Sequence, residues 1–120
     1  MSEKVNLAAA FASFDETWSP RVAAEIDDFA VKLVKLEGEF VWHHHDDADE
    51  LFLVVEGRLV LRFRDRDDVE LVAGELYVVP RGVEHLPVAE PGCQVLLLER
   101  AEVANTGSAG GDRTAAAKTL

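Results

Sequence analysis

The sequence predicts an all-β fold, a sandwich or barrel, and three observations predict it. Turn signals recur roughly every eight to twelve residues along the middle of the chain. Arg58 to Arg64 alternates strictly, with Leu59, Leu61 and Phe63 on one face and Arg58, Arg62 and Arg64 on the other. No helical period occurs anywhere in residues 29–99.

The elements follow in order. Val5 to Phe14 sets Leu7, Phe11 and Phe14 at helical spacing among alanines, which predicts a short helix laying one apolar edge on the domain. Asp15 to Pro20 breaks it, because Ser19 before Pro20 is pushed out of the helical region. Apolar runs then alternate with Gly, Asp and Pro punctuation: Phe29–Leu36, Glu39–His45, Leu51–Glu56, Arg58–Arg64, Val69–Val72, Glu75–Val79, His85–Val88 and Cys93–Glu99. From Ala101 the composition shifts to Ala, Gly, Thr and Ser without apolar period, which predicts an irregular tail. The expected organisation is an N-terminal segment over 1–20, one β-barrel over 21–100 and the tail over 101–120.

Composition narrows the function. The 120 residues are 48% hydrophobic and 29% charged, enough apolar surface to offset the entropy of ordering. Twenty-three Asp and Glu stand against twelve Lys and Arg, a formal charge of -11. That field repels phosphate backbones and anionic lipid, so nucleic acid and membrane surfaces are not the expected partners. Cys93 is the single cysteine, so no internal disulfide forms. No apolar run approaches the ~20 residues of a membrane helix. The first ten residues make a poor secretory signal, and a cytoplasmic location is expected.

The four histidines lie in two short segments, His43-His44-His45 and His85. On a strand, His43 and His45 share a face and His44 takes the other. Glu50 follows after four residues, room for a turn into the next strand, and His85 arrives just after the Pro80-Arg81-Gly82 turn. Three imidazoles and a carboxylate can surround a divalent metal, with positions left for water or substrate if the metal is six-coordinate. The competing reading is plain polar surface, since an isolated His-x-His on a strand usually is that. The run from His43 to Glu50, HHHDDADE, could also be a solvated acidic loop that picks up metal adventitiously.

The spacing resembles the cupin family. Its first motif appears as Gly38, His43-x-His45, four residues, Glu50, six residues, Gly57; the second as Gly74, five residues, Pro80-x-Gly82, two residues, His85. Sixteen residues separate the two, and the likeness covers roughly residues 29–99. Two departures stand out. Gly38 is separated from His43 by four residues instead of the usual five, and Ala89 stands where Asn is common. The resemblance implies a double-stranded β-helix, or jelly roll, with His43, His45, Glu50 and His85 as ligands of one divalent transition metal, Fe, Mn, Ni, Zn or Cu. His44 then faces away. A narrower likeness, through Trp18-Ser19-Pro20, Gly38 to His43, Asp49 to Phe52 and Asn105-Thr106-Gly107, is to small bacterial cupins often labelled mannose-6-phosphate-isomerase-like. Fold does not carry activity, so the isomerase reaction is not taken over.

Parity from the ligands turns Val41, Phe52, Val54 and Pro87 inward, and Tyr77 with Val79 is placed on the same inner face. Val41, Phe52, Tyr77 and Pro87 are therefore the expected substrate pocket, mostly apolar and suited to a small molecule. No cationic side chain is assigned to it, which disfavours a phosphorylated sugar. Trp18 and Trp42 are read as packing residues, Arg58, Arg62 and Arg64 as a solvated face, and Cys93 as an inert buried thiol. Three functions stay open: a metal-dependent enzyme (isomerase, oxygenase or lyase) on a small organic molecule, a non-catalytic binding or sensing barrel, and a barrel whose metal is only structural. A homodimer is expected, with Leu7, Phe11, Phe14 and Trp18 as the candidate contact.

Overall fold

The computed structural model describes residues 3–103, 106–111 and 117–120. Alternation governs the long strands. In β3 (Glu50–Glu56) the buried positions are Glu50, Phe52 and Val54, and in β4 (Arg58–Phe63) they are Leu59, Leu61 and Phe63. Each pleated face that turns inward meets the opposite face, and together they close the core.

A short helix, α1 (Leu7–Ala12), precedes strand β1 (Arg21–Ile26) and β2 (Phe29–Glu39). After β3 and β4 come β5 (Val69–Val72), β6 (Leu76–Val79), β7 (His85–Arg100) and β8 (Lys118–Thr119). The hydrogen-bonded order is β5-β4-β7-β2-β1-β8, with β3 joining both β6 and β7. Strand β7 is the hinge of this arrangement. Its first part, His85 to Ala89, pairs with β4, and its second part, Gln94 to Leu98, pairs with β3. Strand β2 runs antiparallel to both parts, with its register shifted between Leu36 and Gly38. One pair of long strands thus serves two sheets, which wrap around Val34, Leu36, Phe52, Leu61, Val95 and Leu97. This is the jelly-roll barrel expected from the sequence.

Several expectations are refined. His85–Val88 and Cys93–Glu99 belong to one continuous strand, because the exposed Glu90-Pro91-Gly92 corner bends it without ending it. Residues 40–45 form no strand; only His43 bridges to His85. Strand β1, absent from the sequence reading, covers β2.

Helix α1 is capped by the Asn6 side chain, which accepts from the Ala9 amide at 2.9 Å. Its Phe11, with Phe14 just beyond, packs on Leu33 at the outside of the barrel. Two aromatic residues expected at a subunit contact are therefore already buried within their own chain. The tail is irregular over 106–111, then adds β8 as a parallel strand beside β1. Arg58 pairs with Glu70 and Glu90, Arg62 with Asp68, and Arg64 with Glu84, all exposed, the solvated face expected of them. Among the described residues no helix is long and apolar enough to cross a membrane.

Gly57 and Gly74 share a left-handed φ, +90° and +88°, but differ in surroundings. A Cβ on Gly57 would stand 2.9 Å from the Cys93 Cα, whereas one on Gly74 meets nothing within 4 Å. Both changes to Ala carry the backbone penalty of ~1 kcal/mol. Gly57→Ala adds a clash with backbone, so its urea midpoint should fall further than that of Gly74→Ala. Equal losses would show that the approach to Cys93 is not tight.

Candidate metal centre

The β3–β6 pairing, with Glu50 opposite Val79, sets Glu50 at the inner start of its strand. The Pro80–Gly82 turn follows and delivers His85 to the start of β7. His43 is held against His85 by reciprocal backbone hydrogen bonds of 3.1 and 2.9 Å. His45 follows two residues later, and its carbonyl accepts from the Gly82 amide at 2.8 Å. These local bonds bring His43, His45, Glu50 and His85 together, each buried, with one potential ligand atom apiece and all four atoms within 4.8 Å of one another.

The imidazoles are already oriented. The Nδ1 of His43 donates to the Val41 carbonyl at 2.8 Å, and that of His85 to the Val83 carbonyl at 2.9 Å. A carbonyl only accepts, so both Nδ1 atoms carry the proton and both Nε2 lone pairs face the site. Burial, and then the neighbouring His85, lower the pKa of His43 to about 4, so it is a neutral imidazole at pH 7. Burial alone would raise the Glu50 pKa, but the His45 and His85 rings more than offset this and hold it well below the usual carboxylate value. Glu50 Oε1 lies 3.3 Å from His45 Nε2 and 3.4 Å from His85 Nε2. Neither approach has hydrogen-bond alignment, and all three atoms are buried without a partner. Buried polar atoms are rarely left so. Imidazole nitrogens and a carboxylate oxygen, orphaned and convergent, fit a divalent cation.

Behind Glu50 stands a second buried carboxyl. Burial, and then the Glu50 charge, raise the pKa of Glu99 well above the ordinary carboxylate value. Lys32, 1% exposed, reaches Glu99 Oε2 at 3.4 Å and the Val103 carbonyl at 3.1 Å. Neither residue stands out in the sequence, although parity holds the signal: Lys32 shares a buried face with Ala30 and Val34, and Glu99 with Val95 and Leu97.

The tail also reaches the centre. Ser108 donates its amide to the His44 carbonyl at 2.9 Å, and its Oγ accepts from the His44 amide at 3.0 Å. His44 faces away from the ligands, its Nδ1 on Ser108 Oγ and its Nε2 3.0 Å from Asp46. Gly107 packs so closely that a Cβ there would stand 2.3 Å from the His44 carbonyl and 2.8 Å from His45 Nδ1. Thr106 is fully buried beside them. Asn105, of the narrower likeness, lies outside the described residues.

A narrow cavity of about 30 Å³, open to solvent, leads to the cluster and is lined by Trp18, Pro20, Phe40, Phe52, Pro87 and Leu97, with His43 and Glu50 at its inner end. Phe52 and Pro87 of the expected pocket are there. Val41 is not; it is half-buried, and Phe40 takes the wall in its place. Tyr77 is not either: it packs on Phe63 with ring centroids 5.9 Å apart, at the edge of the core. Trp18, read as a packing residue, stacks on Phe40 at 4.3 Å and lines the mouth. Trp42 lies 4.1 Å from the Arg64 guanidinium, away from the cavity. Cys93 is buried, and burial pushes its thiol up to about 11, so it is unreactive.

Fold and site together define a class: a small jelly-roll barrel with an internal cluster suited to one metal ion. A family model, the cupin domain, matches residues 31–97, and the chain belongs to the cupin family. It is 38% identical over 85 residues to the uncharacterized protein YdbB of Bacillus subtilis, spanning 71% of this chain and 75% of that one. The crystal structure of a cupin-2 domain containing protein from Shewanella frigidimarina superposes with a TM-score of 0.77 at 51% identity, covering 80% of this chain and 93% of the other. A 3-hydroxyanthranilate 3,4-dioxygenase of Xanthomonas euvesicatoria is 30% identical over 82 residues, 66% of this chain. The match spans only 47% of that dioxygenase.

Gly107→Ala should push His45 out of place and weaken Zn(II) or Mn(II) binding by about tenfold or more, a loss of ~1.4 kcal/mol. Calorimetric titration reads the affinity, with Gly110→Ala, where a Cβ meets nothing within 4 Å, as control. Unchanged affinity in the Gly107 variant would show that the tail does not hold the ligand.

Proposed function

We propose that the chain is a metal-dependent enzyme acting on a small organic molecule that enters the cavity below Trp18. One observation carries this reading: His43 and Glu50 belong both to the ligand cluster and to the cavity lining. A molecule in the cavity would therefore stand against the metal, an arrangement a purely structural site does not need. His43, His45, His85 and Glu50 would hold the ion. A divalent first-row metal supplies a Lewis-acidic position for a substrate oxygen.

The protein's own groups do the rest. The carbonyls of Val41 and Val83 keep two imidazoles in their ligating tautomer. Glu99 and Lys32, buried together behind Glu50, surround that carboxylate with polar groups in the interior. Phe40, Phe52, Pro87 and Leu97 exclude water around the reacting molecule and strengthen local electrostatics. Among isomerase, oxygenase and lyase chemistry, the likeness to the Xanthomonas dioxygenase favours the oxygenase.

Elemental analysis should find about one first-row divalent metal per chain, and His85→Ala should lose it. The Mn(II)-loaded protein should relax solvent protons through an exchangeable metal-bound water, as an open catalytic site requires. Failure to bind such a metal would sink the reading. A bound Mn(II) with no exchangeable water would assign the metal a structural role.

We also propose a homodimer, through a different surface from the one first expected. Leu51, Leu53, Leu76, Val78, Leu96 and Leu98 lie in adjacent registers on the outer face of β6, β3 and β7. Leu76 and Val78 are 56% and 42% exposed on an edge strand, which ordinarily needs covering. Light scattering should give twice the 13.2 kDa chain mass. Leu76→Glu should reduce it to that of a monomer; a monomeric wild-type protein would refute the pairing.

A further inference from the structure

Trp18 has a left-handed backbone, with φ of 57°. The other non-glycine residue of this kind among the described residues is Asp27, in the β1–β2 turn, where such geometry is common. For a bulky side chain inside a connection it is strained, at a cost of roughly 1–2 kcal/mol. Two bonds hold it. The Trp18 amide donates to the Lys35 carbonyl at 2.8 Å, and the indole Nε1 donates to the Glu37 carbonyl at 3.0 Å. The strained backbone carries the indole to the cavity mouth, where it stacks on Phe40 with an interplanar angle of 10°. Phe40 in turn meets the His43 ring edge-on, 5.6 Å between centroids. A continuous aromatic wall therefore runs from solvent to a ligand of the metal.

The remaining lining fixes what this wall can select. Opposite and beside it are Val34, Leu36, Phe52, Pro87 and Leu97, and the polar lining groups, His43 and Glu50, sit together at the inner end. None of the lining residues is a lysine or an arginine. An anionic group held away from the metal would lose its hydration without a counter-ion. A sugar would present hydroxyls all around to apolar walls. A flat ring with its oxygen at one end meets both demands: the ring lies on the aromatic wall and the oxygen reaches the metal.

We propose that Trp18 is a specificity-determining residue, which with Phe40 admits neutral monocyclic phenols to the metal and turns away sugar phosphates. This inference rests on the metal reading above and adds the substrate class to it.

The test uses the full chain carrying Trp42→Phe, which leaves Trp18 as its single tryptophan, loaded with redox-silent Zn(II) and dialysed. Elemental analysis first establishes the metal content. Catechol should then quench Trp18 emission saturably, while mannose 6-phosphate at the same concentrations should not. By calorimetry, Trp18→Leu should bind catechol about tenfold more weakly, and Trp18→Phe should recover most of the loss. Zn(II) affinity should be unchanged in both variants, which separates a ligand contact from a damaged site. A zinc-loaded protein that ignores catechol, that binds mannose 6-phosphate as well, or whose Trp18→Leu variant binds catechol undiminished overturns the proposal and leaves the metal reading standing. A protein that takes up no metal overturns both.

Discussion

Four polar side chains converge in the interior of a small apolar barrel, and the rest of the molecule is arranged around that fact. An ionised carboxylate in such a place is held only if other groups replace its water. Glu50 has the His45 and His85 rings before it, and behind it Glu99, whose pKa is raised and which Lys32 contacts. The raised pKa of Glu99 lessens the repulsion of two adjacent buried anions. The imidazole nitrogens nevertheless lack aligned partners. A cation at their meeting point satisfies all of them at once, which explains how so polar a cluster coexists with Phe52, Phe63 and Leu97 nearby.

The strand plan makes the convergence possible. Because β7 serves both sheets, one end of it supplies His85 and the other supplies Glu99. Its antiparallel neighbour β2 supplies Lys32 directly beside that second end, with Lys32 opposite Leu97 and Ala30 opposite Glu99. His85 and the supporting pair Glu99 and Lys32 thus lie on two strands paired over most of their length, while Glu50 comes from β3 and His43 and His45 from the connection before it. Small shifts of one sheet against the other are resisted by the same pairing that holds the site.

The cluster of His43, His45, Glu50 and His85 was legible in the sequence because it is written in local spacing: His43, His45 and Glu50 flank one turn, and His85 follows another. The cavity wall was less so. Counting back from His43 in twos turns Val41 inward, but residues 40–45 are not a strand, and the register shift after Leu36 brings Phe40 to the wall. Tyr77 was misplaced for a related reason: it lies opposite Phe52 in the ladder, yet β6 is an edge strand and the ring turns to Phe63. Trp18 and Ser108 depend on contacts with residues far along the chain, with Lys35 and Glu37 for one and His44 for the other. No local period encodes such contacts.

The docking of Gly107 and Ser108 on the His44–His45 loop also sets an order of events during biosynthesis. Translation runs from the N-terminus, and domains begin to fold as the chain emerges. Strands β1 to β7 all leave the ribosome before residues 107 and 108 do. The barrel wall can therefore assemble while the loop bearing two of the four ligands still lacks its last backbone partners. Maturation of the centre is in that sense a late step, completed by a few residues synthesised after the container itself.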